Sequence, residues 1–196
     1  MTNRLPKGRG AQSDGADTNA SSQPVRQVTP GATTLIVYFS RSGNTEAQAR
    51  TAAQYLGADS YELVVAHPYP VDYRASVDRA TRERENREWP ALLTADLPDL
   101  SQYQLILLGH PIWAMTPANP MRQFLEQFGN QLAGKRLASF ATNAGYGAGD
   151  TQQVLARLTP ASTVVLPNYS IQDVHLERTV SAFKRWLDQT KGESSL

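Results

Sequence analysis

The sequence contains no cysteine, which excludes disulfides, thiolate metal ligands and thiol nucleophiles. Its three histidines, His67, His110 and His175, lie far apart and have no carboxylate at ligand spacing. A metal centre is therefore not expected. No apolar run approaches 18 residues, so a membrane span is not expected either.

The sequence also lacks a clear excess of charge of either sign. Its 19 Lys and Arg residues nearly balance 18 Asp and Glu residues, for a formal net charge of +1. Residues 33–196 alone contain 15 basic and 16 acidic residues. A nucleic-acid-binding domain needs a basic face, so a nucleic-acid partner is not expected.

Residues 1–32 differ in composition from the rest of the chain. They are rich in Gly, Pro and small polar residues and contain almost no large apolar side chain. Such a segment buries too little surface to offset its ordering entropy. We therefore predict a mobile low-complexity tail over 1–32 and one folded domain over 33–196. The early basic residues of the tail are not followed by an apolar stretch, so we expect no secretory signal and a cytoplasmic protein.

Short apolar runs alternate with helical patterns along residues 33–196. Strands are predicted over 34–39, 60–65, 105–109, 137–142 and 163–166, and helices from about 49 to 56, 72 to 88, 120 to 128, 151 to 157 and 176 to 187. This alternation predicts an α/β fold in which helices cover both faces of a five-stranded parallel sheet. Ligands of such sheets bind beyond the carboxyl ends of the strands, so the loops there are the candidate site.

The second predicted helix is the most highly charged one. Its i, i+4 pairs are Asp78/Arg82, Arg79/Glu83, Glu83/Arg87 and Arg84/Glu88. Pairs at this spacing stabilise an exposed helix. We interpret the run as a solvated face.

The loop after the first strand consists of Ser40, Arg41, Ser42, Gly43, Asn44 and Thr45. It joins a strand to a helix N-terminus, where unpaired amides and the helix dipole favour an anion. Hydroxyl and amide side chains at this spacing can bind a phosphate without lysine or metal. The loop lacks the Gly-Lys-Ser/Thr of a Walker motif and has a single glycine, unlike a Rossmann fingerprint. The alternative is that Ser42 or Asn44 only caps the helix.

Two further loops follow the third and fourth predicted strands. The first contains Pro111, Ile112, Trp113, Ala114, Met115 and Thr116, and the second contains Thr142, Asn143, Ala144, Gly145, Tyr146, Gly147 and Asp150. Glycines allow a backbone to approach a planar ring, and aromatic side chains can cover its faces. Trp113 also fits a core residue at a strand end, and Tyr146 fits a simple loop cover.

The three loops in this order resemble the flavodoxin family over about residues 33–190. The segment Tyr69-Pro70-Val71-Asp72-Tyr73 and the Pro-Ile-Trp at 111–113 are similar to a bacterial flavodoxin-like branch, and the uninterrupted fifth strand resembles the short-chain type. The resemblance implies a flavodoxin-like three-layer sandwich with strand order 2-1-3-4-5.

The same resemblance implies a non-covalently bound FMN. Its phosphate would lie in the Ser40–Thr45 loop, near Arg41, and its ring between the other two loops. Trp113 would lie against the ring and Tyr146 in the second ring-flanking loop. The amides near Gly145 and Gly147 would meet the pyrimidine edge.

The favoured function is a one-electron carrier between redox proteins, with a flavoprotein reductase as donor and an unknown acceptor. The alternative is an FMN-dependent NAD(P)H:quinone-type oxidoreductase in which His110 donates a proton. A third possibility is a cofactor-free scaffold, against which the complete phosphate loop argues.

Overall fold

A mostly parallel sheet forms the centre of the protein. The computed structural model describes residues 23–192. Its strands are β1 Arg26–Gln27, β2 Thr34–Tyr38, β3 Asp59–Glu62, β4 Val64–Val65, β5 Leu92–Leu93, β6 Leu105–Trp113, β7 Thr116–Pro117, β8 Arg136–Asn143, β9 Val164–Val165 and β10 Tyr169–Gln172. Its α-helices are α1 Asn44–Leu56, α2 Tyr73–Asn86, α3 Asn119–Phe128, α4 Thr151–Leu158 and α5 Val180–Lys191.

The strand order confirms the predicted 2-1-3-4-5 arrangement. The hydrogen-bonded path is β1-β3-β2-β6-β8-β10, with β9 also paired to β8. All of these pairings are parallel except that of β1 with β3. The order reverses between β2 and β6, which places a switch point at their carboxyl ends.

Two apolar cores, one on each face of the sheet, confirm the three-layer prediction. One face packs against α1 and α5 through Ile36, Leu107, Phe140, Ala53 and Phe183, among others. The other face packs against α3 and α4. The central strand β6 contributes to both cores, and Ile106, Leu107 and Leu108 are fully buried. Burial on both faces explains why this run does not alternate.

The fifth strand position is divided, which differs from the prediction of one strand over 163–166. β9 pairs with the start of β8 at Arg136 and Leu137, and β10 pairs with its end from Phe140 to Asn143. Pro167 lies between the two segments and cannot donate a ladder hydrogen bond. Within the described residues, no helix is both long and apolar enough to cross a membrane.

Part of the predicted tail belongs to the sheet. β1 pairs antiparallel with β3, and Val25 packs against the core that includes Phe140. The Val25 amide donates to the Glu62 carboxylate at 2.9 Å, and the Thr29 amide donates to Asp59 Oδ1 at 2.6 Å. The predicted mobile tail is therefore wrong for residues 25–29, because two acceptors on β3 hold this polar segment. Residues 1–22 lie outside the described residues.

Removing residues 23–32 should destabilise the domain. A protein that begins at residue 33 loses both amide-to-carboxylate bonds, which predicts a loss of about 2–4 kcal/mol in the free energy of unfolding. Denaturant unfolding would measure this against a protein that begins at residue 23, so that the comparison isolates these ten residues. Equal stability of the two proteins would show that β1 contributes nothing to the fold.

Candidate cofactor-binding cleft

A cavity of about 370 Å³ lies at the carboxyl ends of β2, β6 and β8. Its lining comes from all three predicted loops and from two segments outside them: Ser40, Arg41, Ser42, Asn44, Thr45, Tyr73, Ser76, Val77, Ala80, Thr81, Arg84, Pro111, Ile112, Trp113, Ala114, Met115, Thr142, Asn143, Ala144, Tyr146 and Asp173. The volume is in the range of small-molecule sites, and the place is the switch point of the sheet.

The first loop presents polar groups to one end of this cavity. Gly43 has φ +88°, which lets the chain turn sharply into α1, and its amide donates to Ser40 Oγ at 3.0 Å. The side chains of Ser42 and Asn44 make no hydrogen bond within the described residues, and α1 has no side-chain cap. The cap alternative is therefore wrong. The first amides of α1 also lack helical acceptors, so several donors converge at this end.

A buried hydroxyl pair connects the first loop to β8. Thr45 Oγ1 and Thr142 Oγ1 are 2.8 Å apart, and both residues are buried. Each hydroxyl can donate one bond and accept others. The pair fixes the start of α1 against the end of β8.

Arg41 lies in the cavity wall, but its guanidinium binds protein groups. Nε donates to Ser76 Oγ at 3.1 Å, and Nη2 donates to the Val71 and Pro70 carbonyls at 2.8 and 3.3 Å. The side chain therefore ties the first loop to the segment that leads into α2.

The second loop is a tight and strained hairpin. Trp113 on β6 pairs with Thr116 on β7, and the two residues between them, Ala114 and Met115, have φ of +49° and +64°. Consecutive left-handed residues match a type I′ turn, which ordinarily uses Asn or Gly. Non-glycine residues in this region cost of order 1–3 kcal/mol each, and such strain is common at ligand sites.

Trp113 belongs to both the cavity wall and the core. Its ring makes edge-to-face contacts with Phe39, at 5.6 Å between centroids, and with Tyr69, at 5.1 Å. The Arg79 guanidinium in turn lies over the ring of Tyr69, 4.2 Å from its centroid. Trp113 is thus held in one orientation at the cavity.

The third loop is organised by Asn143. Its Oδ1 accepts the amides of Gly145 and Gly147 at 2.8 and 3.2 Å, and its Nδ2 donates to Ser170 Oγ and the Ile171 carbonyl at 2.9 and 3.1 Å. Asn143 therefore accepts the amides of Gly145 and Gly147 themselves, and the expectation that amides near these glycines meet a ligand edge stays a prediction for their neighbours.

Close contact joins the second and third loops. The Asp150 amide donates to the Met115 carbonyl at 2.9 Å. Gly149 has φ +55°, and a Cβ there would lie only 1.9 Å from the same carbonyl oxygen. Five predicted residues lie within or beside these three loops but do not line the cavity: Gly43, Thr116, Gly145, Gly147 and Asp150.

One wall of the cavity was not predicted. α2 contributes Tyr73, Val77, Ala80 and Arg84, with Tyr73 and Val77 both more than 40 % exposed, and Asp173 contributes from the segment after β10. Of the four predicted charge pairs on α2, only Arg79–Glu83 is an ion pair among the described residues. The sequence signal that could have indicated this wall is the helical spacing of Tyr73, Val77 and Ala80, which places them on one face of α2 among the charged residues.

His110 does not face the cavity. Its side chain is fully buried, and burial lowers its pKa to about 4. The ring is therefore neutral at pH 7 and is absent from the lining. The hypothesis that His110 donates a proton to a substrate is wrong, because the side chain points into the core.

An open, mostly parallel sheet with helices on both faces and a cavity at its switch point defines the doubly wound α/β class. A family model described as Flavodoxin matches residues 33–190. The chain belongs to the flavodoxin family.

Solved structures support this assignment. A candidate flavoprotein from Bacteroides uniformis is 25% identical, with a TM-score of 0.67, and 81% of this chain and 99% of that chain align. A flavoprotein in complex with FMN from Lactobacillus acidophilus is 25% identical, with a TM-score of 0.60 over 78% of this chain and 99% of that chain. A candidate flavoprotein from Bacteroides eggerthii, 24% identical, has the same fold, with a TM-score of 0.69 over 83% of this chain and 100% of that chain.

Proposed function

We propose that this protein is an FMN-binding one-electron carrier. The observation that carries the proposal is the cavity of about 370 Å³, in which a polar end rich in hydrogen-bond donors faces an aromatic and apolar wall. A similar flavoprotein was solved in complex with FMN. FMN has the two matching parts, a phosphate and a planar ring system.

The polar end suits the phosphate. Ser42 and Asn44 have side chains without hydrogen-bond partners in the described part of the chain, Thr45 adds a hydroxyl, and α1 adds its N-terminal amides. Backbone amides and the helix dipole bind a phosphate without a nearby cation. This agrees with Arg41, whose guanidinium is already bound to Ser76 and two carbonyls.

The other end suits the isoalloxazine ring. Trp113 is held by two aromatic contacts, and Tyr146, which is 68 % exposed, can move over a ring at low cost. Tyr73 and Val77 expose apolar surface from the opposite wall. A ligand ring would bury these apolar groups, which provides binding energy roughly in proportion to the area covered.

The surroundings also suit a low reduction potential. FMN supplies the one-electron chemistry when bound. Asp173 places a largely buried carboxylate in the cavity wall, next to apolar and aromatic groups. A negative charge and a low dielectric both disfavour an added electron. The protein would thus act as a reductant that receives electrons from a flavoprotein reductase and passes them to a redox protein.

The burial of His110 favours a carrier over a reductase. A quinone reductase of the kind considered above needs a proton donor at the ring, and the residue suggested for that role is enclosed in the core. An electron carrier needs only an exposed ring edge.

Direct mixing with a nicotinamide tests this choice. FMN-loaded protein mixed anaerobically with NADPH or NADH should lose its flavin absorbance very slowly, because hydride transfer requires a nicotinamide stacked at about 3–3.5 Å from the ring. A catalytic amount of a flavoprotein reductase together with NADPH should reduce it rapidly, and dithionite serves as the control for full reduction. Rapid bleaching by either nicotinamide alone, with quinone turnover, would favour the reductase instead.

A further inference from the structure

A second cavity, of about 470 Å³, lies beside the cleft between the ends of α2, α3 and α4. Its charged and aromatic lining consists of Arg84, Arg87, Arg122, Arg157, Glu126 and Trp89. Four guanidinium groups thus share one concave volume with one carboxylate. The local excess of positive charge contrasts with the near neutrality of the chain as a whole.

The arginines are poorly paired by the protein. Arg122 Nε is 3.8 Å from Glu126 Oε1, which is too long for a hydrogen bond. Arg84 makes only marginal bonds, at 3.5 Å to the Ala80 carbonyl and 3.4 Å to Thr81 Oγ1. Among residues 23–192, Arg87 and Arg157 form no ion pair. This cavity therefore contains more guanidinium donors than the nearby protein acceptors satisfy.

Arg122 differs from Arg84 and Arg157 in its position on its helix. Arg84 and Arg157 lie in the last turns of α2 and α4, where a cation is favourable to the helix dipole. Arg122 lies near the start of α3, where the dipole is unfavourable to a cation. Its Nε is buried without a hydrogen-bond partner. Burial, and then the charge of Arg157, lower the pKa of Arg122.

The local packing keeps Arg122 in this position. Its guanidinium lies 4.9 Å from the Trp89 ring, which gives a favourable cation–π contact. The residue just after α3 also lies close to the last residue of α4, since a Cβ on Gly129 would lie 2.0 Å from the Leu158 carbonyl oxygen. The Arg122 side of the cavity is therefore held in place by contacts within the protein.

We propose that this second cavity binds the phosphate group of a small molecule. Several guanidinium groups that line one concave volume match the three oxygens and the double charge of a phosphate. The concave shape and the partial burial of Arg84 and Arg122 favour a small ligand over a flat acidic protein surface. Apart from Arg84, which also lines the first cavity, the residues are separate from the proposed FMN site, so the inference does not depend on the proposed function.

Calorimetric titration of the full-length, FMN-loaded protein tests the proposal. Inorganic pyrophosphate and ADP should bind with one site per chain, and affinity should fall as salt is raised. Equal affinities identify the phosphate as the whole ligand, and tighter ADP binding extends the ligand to a nucleoside. Absorbance of the bound flavin, recorded in the same samples, reports the first cavity separately.

Substitution of Arg122 gives the sharper result. Arg122→Gln should weaken pyrophosphate binding at least tenfold and leave the flavin absorbance unchanged. Arg157→Gln should have the same two effects, and it tests the proposal independently if the Arg122 substitution disturbs the fold. The matched control is Arg82→Gln, an exposed arginine of α2 outside both cavities, which should bind pyrophosphate normally. Wild-type affinity in both cavity variants, or binding of oligoglutamate but not of pyrophosphate, would overturn the proposal.

Discussion

Gly149→Ala should damage the cleft more than any other single methyl group added to its loops. The new Cβ would lie 1.9 Å from the Met115 carbonyl oxygen, at a residue with φ +55°. Left-handed strain and overpacking together predict a loss of about 2–5 kcal/mol in the free energy of unfolding. FMN affinity should also fall by more than about tenfold, which corresponds to 1.4 kcal/mol, because the second and third loops can no longer meet. Denaturant unfolding and flavin titration measure the two effects.

Gly147→Ala is the matched control for this change. Gly147 also has a positive φ, of +79°, but nothing lies within 4 Å of its added Cβ. The amide that donates to Asn143 is retained. Only the backbone strain remains, which predicts a loss of about 1–2 kcal/mol. Equal effects of the two variants would show that the contact of Gly149 with Met115 does not shape the cleft.

Loss of hydroxyls from the first loop should have the largest specific effect on FMN binding. Ser42→Ala and Thr45→Ala should each weaken binding by about 1–3 kcal/mol, roughly 5- to 150-fold in Kd, because in the proposed site each hydroxyl would form a hydrogen bond to the charged phosphate. Thr45→Ser keeps the hydroxyl and should recover most of the affinity. Fluorescence titration of the apoprotein with FMN measures all three values.

Thr51→Ala provides the control on the same helix. The Thr51 hydroxyl donates to the Ala47 carbonyl at 2.9 Å and lies outside the cavity. Its removal should leave FMN affinity unchanged. If Ser42→Ala and Thr45→Ala also bind FMN normally, the first loop does not hold the phosphate.

The sheet and the three loops could be predicted because their signals are local in sequence. The unalternating run Leu105–Leu108 requires burial on both faces, and the polar turn at 40–45 lies between a strand and a helix. Topology then brings the ends of neighbouring parallel strands together. These facts predicted the parallel sheet and the position of the cleft, whereas the strand order was predicted from the resemblance to the flavodoxin family.

Features that depend on distant partners were not predictable in this way. β1 has an unpromising composition and is held by acceptors on β3, 30 or more residues away. The charge run on α2 satisfies the spacing of helix pairs, yet Arg84 and Arg87 face a cavity that α3 and α4 complete. The predicted role of His110 was wrong because a strand residue one position away from a site can point its side chain into the core.

The comparison of FMN with riboflavin tests the central claim most directly. Riboflavin has the same ring and ribityl chain but no phosphate, so the affinity difference isolates the first loop. Two or more charge-assisted hydrogen bonds predict that the apoprotein binds FMN at least about 30-fold more tightly, or about 2 kcal/mol. Equal affinity for the two compounds, measured by flavin fluorescence under identical conditions, would contradict the assignment of the cleft as an FMN site.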